Sequence, residues 1–175
     1  MDGVLFSTQE ANDKAYKSAL EEHQVTVPDN FYKRLYGNKF EKVIKEDYPA
    51  INKELITSIK TSKHRHYANR LHEIKENKAL LDFIRFSRKQ VLIGLATSAA
   101  KNNAQMILKH FHAEDLFHSI IYFEDVKNPK PSPECFQLCA QRLGVDIRDC
   151  LIWEDSQEGI EAAQSAGARF IPTIF

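Results

Sequence analysis

The stretch Cys150–Ala168, CLIWEDSQEGIEAAQSAGA, constrains this chain more than any other. Cys150, Leu151, Ile152 and Trp153 form a short apolar run, the mark of a strand buried on both faces of a sheet. Glu154 and Asp155 stand where that strand should end. Ser156 is placed to cap a following helix, and Ile160, Ala163 and Ala166 give that helix a core face at three-residue spacing. Gly167 is placed to stop it. In parallel α/β sheets ligands sit outside the carboxyl ends of the strands, so both carboxylates should face one crevice. Two adjacent acids there disfavour each other's charge, and a hard cation with oxygen ligands is the simplest compensation. An ordinary solvated turn also accommodates an acidic pair. The apolar strand before this one and the capped helix after it favour a metal site.

The rest of the chain repeats the strand-then-helix layout only in its second half. Gln90–Ala96 (QVLIGLA) and Ser119–Phe123 (SIIYF) read as strands, the first buried, with Arg169–Ile174 as a last one. Asn102–Phe111 reads as a helix, and so does a segment capped by Ser132, with Pro133 at its first position, that ends at Gly144. Leu80, Leu81, Ile84 and Phe86 belong to one more helix. Strands alternating with helices mean a parallel sheet with right-handed crossovers. From Thr8 to about Asn77 the pattern is instead four amphipathic helices with no strand between them. The expectation is therefore an α/β protein: a Rossmann-like three-layer core with a parallel sheet, built from residues 1–8 and 79–175, and an inserted helical-bundle cap over 9–78. His64, Arg65, His66, Arg70 and His72 read as the wet face of a cap helix.

Composition excludes several functions. Lysine plus arginine equals aspartate plus glutamate, 24 each, so nothing calls for nucleic acid or an anionic membrane. No apolar run approaches the roughly 20 residues of a membrane span. The three cysteines, Cys135, Cys139 and Cys150, form no Cys-x-x-Cys pair. Cys135 and Cys139 lie one helical turn apart and read as small apolar residues, in keeping with a reduced, cytoplasmic setting. A monomer is the default for a two-part enzyme.

Four strand ends carry polar residues: Asp2, Thr97-Ser98, Lys130 and Glu154-Asp155. If the strands are neighbours, these converge. Hydroxyl groups and a lysine suit a phosphate dianion, and an acidic cluster holds Mg²⁺ opposite it. In this order the motifs resemble those of the haloacid dehalogenase-like phosphohydrolases. MDGVLFST is similar to their first motif, Asp-x-Asp-Gly-Val; LATSAAKNN to their second; VKNPKPSPECF to their lysine motif; and IWEDSQEGIEAAQSAGA to their acidic fourth motif. The last two are close to the sub-group of β-phosphoglucomutase and phosphoglycolate-type phosphatases.

The resemblance implies an Mg²⁺-dependent reaction on a small phosphorylated metabolite through an aspartyl-phosphate. Asp2 would serve as acid and base, Thr97 and Ser98 would bind phosphate oxygens, and Lys130 would neutralise the transferring group. Asp155, with Glu154 and the Asp2 carbonyl, would hold the metal, and Gly37, Asn38 and Lys39 of the cap would meet the substrate. The family's nucleophile belongs directly before Met1. The expectation is a run of about five or more apolar residues ending in aspartate at that place, and a sheet without it would carry an open slot with unpaired backbone on both sides. Ser7 stands where the sub-group often has aspartate, and Phe40 where its mutases carry a phosphate-binding arginine, a part that Lys39 or Arg34 would have to take. Simple hydrolysis is thus favoured over the alternatives, a phosphosugar mutase or an inactive binding protein of the same fold.

Overall fold

A computed structural model describes residues 1–35 and 38–173. Two units emerge: Met1–Thr8 with Ile74–Phe175, and Gln9–Glu73. The inserted unit is helical. Helix α1 (Gln9–Glu22) buries a stripe of Ala11, Ala15 and Ala19, small side chains that let α4 (Lys53–Ala68) approach closely. Between them lie α2 (Phe31–Leu35) and α3 (Phe40–Asp47), whose Phe31, Phe40, Val43 and Ile44 fill the shared core. Asn52 caps α4 by accepting from the Leu55 amide at 2.7 Å. The expected wet face is exposed at His64, Arg65 and His72. Arg65 and His66 there pair with Glu22 of α1.

The other unit is a mixed α/β core of Rossmann-like design with short parallel ladders. Strand β1 (Phe6–Ser7) pairs antiparallel with β2 (Lys75–Glu76). Thr8–Asn77 is therefore not free of strands, as its helical periodicity suggested; a two-residue partner for β1 is too short to show a period of two. Helix α5 (Lys78–Ser87) follows, capped by Asn77, and buries Leu81 and Ile84 while Phe86 stays 75% exposed. Strand β3 (Gly94–Ala96) runs parallel to β4 (Ser119–Ile121) through α6 (Lys101–His110), with Leu95 opposite Ile120. Strand β5 (Leu151–Glu154) runs parallel to β6 (Arg169–Pro172) through α8 (Gln157–Ala166), with Trp153 opposite Ile171. Ile174, the expected end of the last strand, lies outside the described residues. Helix α7 (Glu134–Leu143) packs on β3, β4 and α8, and its Cys135 and Cys139 are buried in that apolar cluster.

Two expectations about the strands need correction. Strands β3 and β4 are shorter than the apolar runs that announced them, β5 is shifted by one residue from its run, and neither β3 nor β5 is buried along its length. Val91 and Leu92 are 51% and 52% exposed and Leu151 is 43% exposed. Among the described residues β3 pairs with β4, and β5 with β6. An apolar slot of about 610 Å³ lies between the two ladders, lined by Leu95 on one side and by Leu151, Ile152 and Trp153 on the other. The start of α7 also shifts by one residue, with Pro133 as the cap position and Ser132 Oγ accepting from the Glu134 amide at 3.4 Å.

Candidate active site

The end of β5 and the start of α8 follow from local sequence. Ser156 Oγ accepts from the Gly159 amide at 3.1 Å, capping α8, and Gly167 closes the helix with φ +78°. The same serine hydroxyl donates to Glu154 Oε1 at 2.8 Å. That oxygen also accepts from the amides of Asp155 and Ser156 at 3.3 and 3.2 Å. The other, Oε2, accepts from Lys130 Nζ at 2.6 Å. Gly159 makes room for the arrangement: a Cβ there would lie 2.1 Å from the Glu154 carboxyl carbon.

Lys130 and Glu154 form a buried ion pair, their side chains 10% and 7% exposed. Lys130 Nζ also sits 4.7 Å from the centre of the Phe136 ring on α7, a cation–π contact. Burial alone would raise the Glu154 carboxyl. The charge and hydrogen bond of Lys130, with the Ser156 hydroxyl, outweigh it and hold the group at about 2. Asp155 goes the other way, raised by burial and then by the Glu154 charge. An anion left at a disadvantage beside a neutralised neighbour is the group that gains most from a cation.

Asp2 is half-buried, and its Oδ1 accepts from Thr8 Oγ1 at 2.7 Å. Between Asp2 and the Val4–Phe6 segment, Gly3 turns the chain at φ +68°, and a Cβ on it would fall 1.8 Å from Asp155 Oδ2. Glycine is required twice over there, by its backbone angle and by the approach of Asp155. Lys130 is bonded to Glu154, Asp155 follows Glu154 in the chain, and Asp155 approaches Gly3 beside Asp2, so the structure brings these four charged residues together. Among the described residues no group of three or more His, Cys, Asp or Glu side chains is arranged to hold a metal. Asp155 and the Asp2 carbonyl fit an oxygen-liganded cation by chemistry, while both Glu154 oxygens are engaged inside the protein.

Thr97 follows β3 and is buried; its amide donates to the Ile121 carbonyl at 2.9 Å and its hydroxyl accepts from the Ala99 amide at 3.1 Å. Ser98 beside it is exposed. Of the cap residues, Gly37 lies outside the described residues. Asn38 accepts from Lys42 Nζ at 3.2 Å and donates to the Arg34 carbonyl at 3.1 Å, and Lys39 is the exposed residue preceding α3. Arg34 is bound to Glu46 at 2.9 Å and to Asp47. Sequence reasoning missed Thr8, Phe136 and the second role of Ser156. Only Ser156 carried a signal, since a capping serine directly after two carboxylates has a hydroxyl proton to give.

A family model, haloacid dehalogenase-like hydrolase, matches residues 1–172. A phosphorylated carbohydrates phosphatase of Thermotoga maritima is 30% identical over 98% of this chain and 81% of its own length. A fructose-1-phosphate phosphatase of Escherichia coli is 27% identical over 95% of this chain and 89% of its own. The crystal structure of a β-phosphoglucomutase from Clostridium difficile superposes with a TM-score of 0.77 at 26% identity, covering 98% of this chain and 80% of that one.

Proposed function

The chain belongs to the haloacid dehalogenase-like hydrolases and is a phosphoric monoester hydrolase, and on that premise we propose that it is an Mg²⁺-dependent phosphatase of small phosphorylated sugars. The observation that carries the reading is the Lys130–Glu154 pair beside Asp155 and the Asp2–Gly3 turn. Glu154 fixes the lysine, and the lysine's two remaining N–H donors are the natural partners of phosphate oxygens. Thr97, and Ser98 after it, supply further donors to those oxygens in this reading. Asp155 and the Asp2 carbonyl would hold Mg²⁺, which supplies charge stabilisation to the transferring phosphoryl group. We assign Glu154 to Lys130 rather than to the metal, because a metal ligand would have to give up the 2.6 Å bond.

In the proposed reaction an aspartate directly before Met1 attacks phosphorus, and the ester P–O bond breaks. The Asp2 carboxyl gives its proton to the leaving sugar oxygen. Water then attacks the aspartyl-phosphate, Asp2 takes the water's proton, and the P–O bond to the aspartate breaks to release phosphate. Thr8 holds Asp2 through its hydroxyl, which leaves Oδ2 for this proton.

The inserted unit serves as a lid in this proposal. Its two chain crossings, at Thr8–Gln9 and Glu73–Ile74, both adjoin the β1–β2 ladder, so one short antiparallel pair holds the hinge. Asn38, Lys39 and Gly37 would meet the sugar on closure. The mutase alternative loses ground because Arg34 is already paired with Glu46 and Asp47. A monomeric cytoplasmic enzyme completes the reading; no helix among the described residues is long and apolar enough to cross a membrane. The test is product analysis with the full-length protein and Mg²⁺. Free phosphate from fructose 1-phosphate is expected. Conversion of β-glucose 1-phosphate to the 6-phosphate would replace this reading with the mutase, and inertness toward both would favour a binding protein.

A further inference from the structure

Lys130 stands in a segment with neither strand nor helix to hold it. Before α7 the chain reads Lys127-Asn128-Pro129-Lys130-Pro131-Ser132-Pro133. Pro129, Pro131 and Pro133 restrict the backbone but offer no N–H, so the loop has few amides with which to fasten itself. Two of those amides go to one carboxylate. Glu134, the first residue of α7, accepts from the Lys127 amide at 2.7 Å through Oε1 and from the Asn128 amide at 3.0 Å through Oε2. The Asn128 side chain adds its Nδ2 to Oε2 at 2.9 Å. The Ser132 amide donates within the loop, to the Pro129 carbonyl at 3.0 Å. Glu134 thus ties the start of the loop to the helix that follows it. The same helix start carries Phe136, whose ring centre lies 4.7 Å from Lys130 Nζ.

We propose that Glu134 is the positioning residue of Lys130: by bridging the Lys127 and Asn128 amides it sets where the loop delivers the ammonium between Glu154 and a phosphate. The 2.6 Å bond to Glu154 does not do this alone. A lysine reaches its partner through a flexible four-carbon stem, and one contact at the tip leaves the direction of its other N–H donors open. Fixing the backbone end of that stem restricts the direction. The Glu134 carboxylate is suited to the part. The Lys127 amide first, then the Asn128 side chain and amide, hold it below its ordinary value, so both oxygens stay acceptors near neutral pH. These bonds lie at the surface, so losing them should leave the core of the unit in place.

The effect on turnover rests on the phosphatase reading, and one arm of the test does without turnover. In the full-length protein with Mg²⁺ and fructose 1-phosphate, Glu134→Ala should lower kcat by roughly 10–10², the scale of an ångström-sized misplacement. KM and the magnesium half-saturation should stay near the parent's, since Asp155 and Asp2 are untouched. In a Lys130→Ala background the same change should cost almost nothing further, because residues that act as a unit are not additive. Glu134→Gln keeps the bulk but turns an N–H toward one of the two amides, and should lose nearly as much as Ala. The second arm is acetylation of Lys130 by an N-hydroxysuccinimide ester, followed by peptide mass. Lys130 is 10% exposed and should react slowly in the parent. It should react severalfold faster in Glu134→Ala, while the exposed Lys109 of α6 keeps its rate. An unchanged kcat in an active enzyme, or an equal loss with and without Lys130, would overturn the proposal. An unchanged acetylation rate at Lys130 would overturn it as well. If the parent releases no phosphate, the phosphatase reading fails and acetylation alone decides: a faster rate upholds the positioning role and an unchanged one ends it.

Discussion

The two ends of strand β5 are built on opposite terms. At its carboxyl end Glu154 is 5% exposed, and both its oxygens are occupied by Lys130, Ser156 and backbone amides. Three residues earlier Leu151 is 43% exposed beside a backbone edge that faces an apolar slot. The polar end is a closed knot that needs nothing from the rest of the sheet. Its partners come from one loop and one helix start, and each group's satisfaction depends on the others. The apolar middle depends on a neighbour for burial and for hydrogen bonds.

Breaking the knot should cost most. Lys130→Ala is expected to lower turnover by roughly 10²–10³, the effect of removing one electrostatic donor from a transferring group. From sequence alone this change reads as costing little stability, since Lys130 sits in a loop between two prolines. Its burial revises that: stripping the partner from a buried carboxylate costs roughly 3–5 kcal/mol. Urea unfolding of Lys130→Ala against the double variant Lys130→Ala/Glu154→Gln checks the cause, because the second change should recover much of the loss.

Next in size is Gly3→Ala. A side chain at positive φ costs roughly 1–2 kcal/mol, and its Cβ would drive Asp155 out of place. Magnesium affinity should fall along with stability, and titrating activity with Mg²⁺ separates the two. Ser156→Ala should cost about 1 kcal/mol for the lost cap, with a further loss at Glu154. Restoring only the acceptor with Asp should not repair the second part, since a carboxylate has no proton to give Glu154.

The smallest expected effect tests whether buried and exposed carboxylates at a similar pKa differ. Glu22 in the helical unit is held at about 2 by hydrogen bonds from Arg65 and His66, below its ordinary 4.5. Its folded-state pKa is depressed, so its contribution is present above the unfolded value and fades as pH falls from about 4.5 to about 2. Glu22→Gln should flatten acid unfolding only slightly within that window, because the pair is exposed and screened. Unfolding midpoints at pH 5 and pH 3 measure it.

What could be read in the sequence was local. Ser156 and Gly167 announce both ends of α8 because capping acts within four residues. The apolar faces of α1 and α3 are legible because a helix repeats its core contacts every turn. Lys130 and Glu154 are 24 residues apart, so each was recognised as a site residue while their bond was not. The hydroxyl of Thr8 on Asp2 depends on the turn at Gly3. Strand extents were overestimated for the same reason: an apolar run shows that a segment can be buried, and only its neighbours decide whether it is. Val91 and Leu92, outside β3, are the cases in point.

The central claim is that Asp155 belongs to a magnesium-dependent phosphate-ester site organised around Lys130. The most direct test is the rate of phosphate release from fructose 1-phosphate as Mg²⁺ is titrated, for the full-length protein and for Asp155→Asn. The account predicts a saturable magnesium curve for the parent. For the variant it predicts a curve displaced to far higher metal concentration with turnover lowered by at least roughly 10², alongside an unchanged unfolding midpoint. Equal rates and an identical magnesium dependence in the two proteins would contradict it.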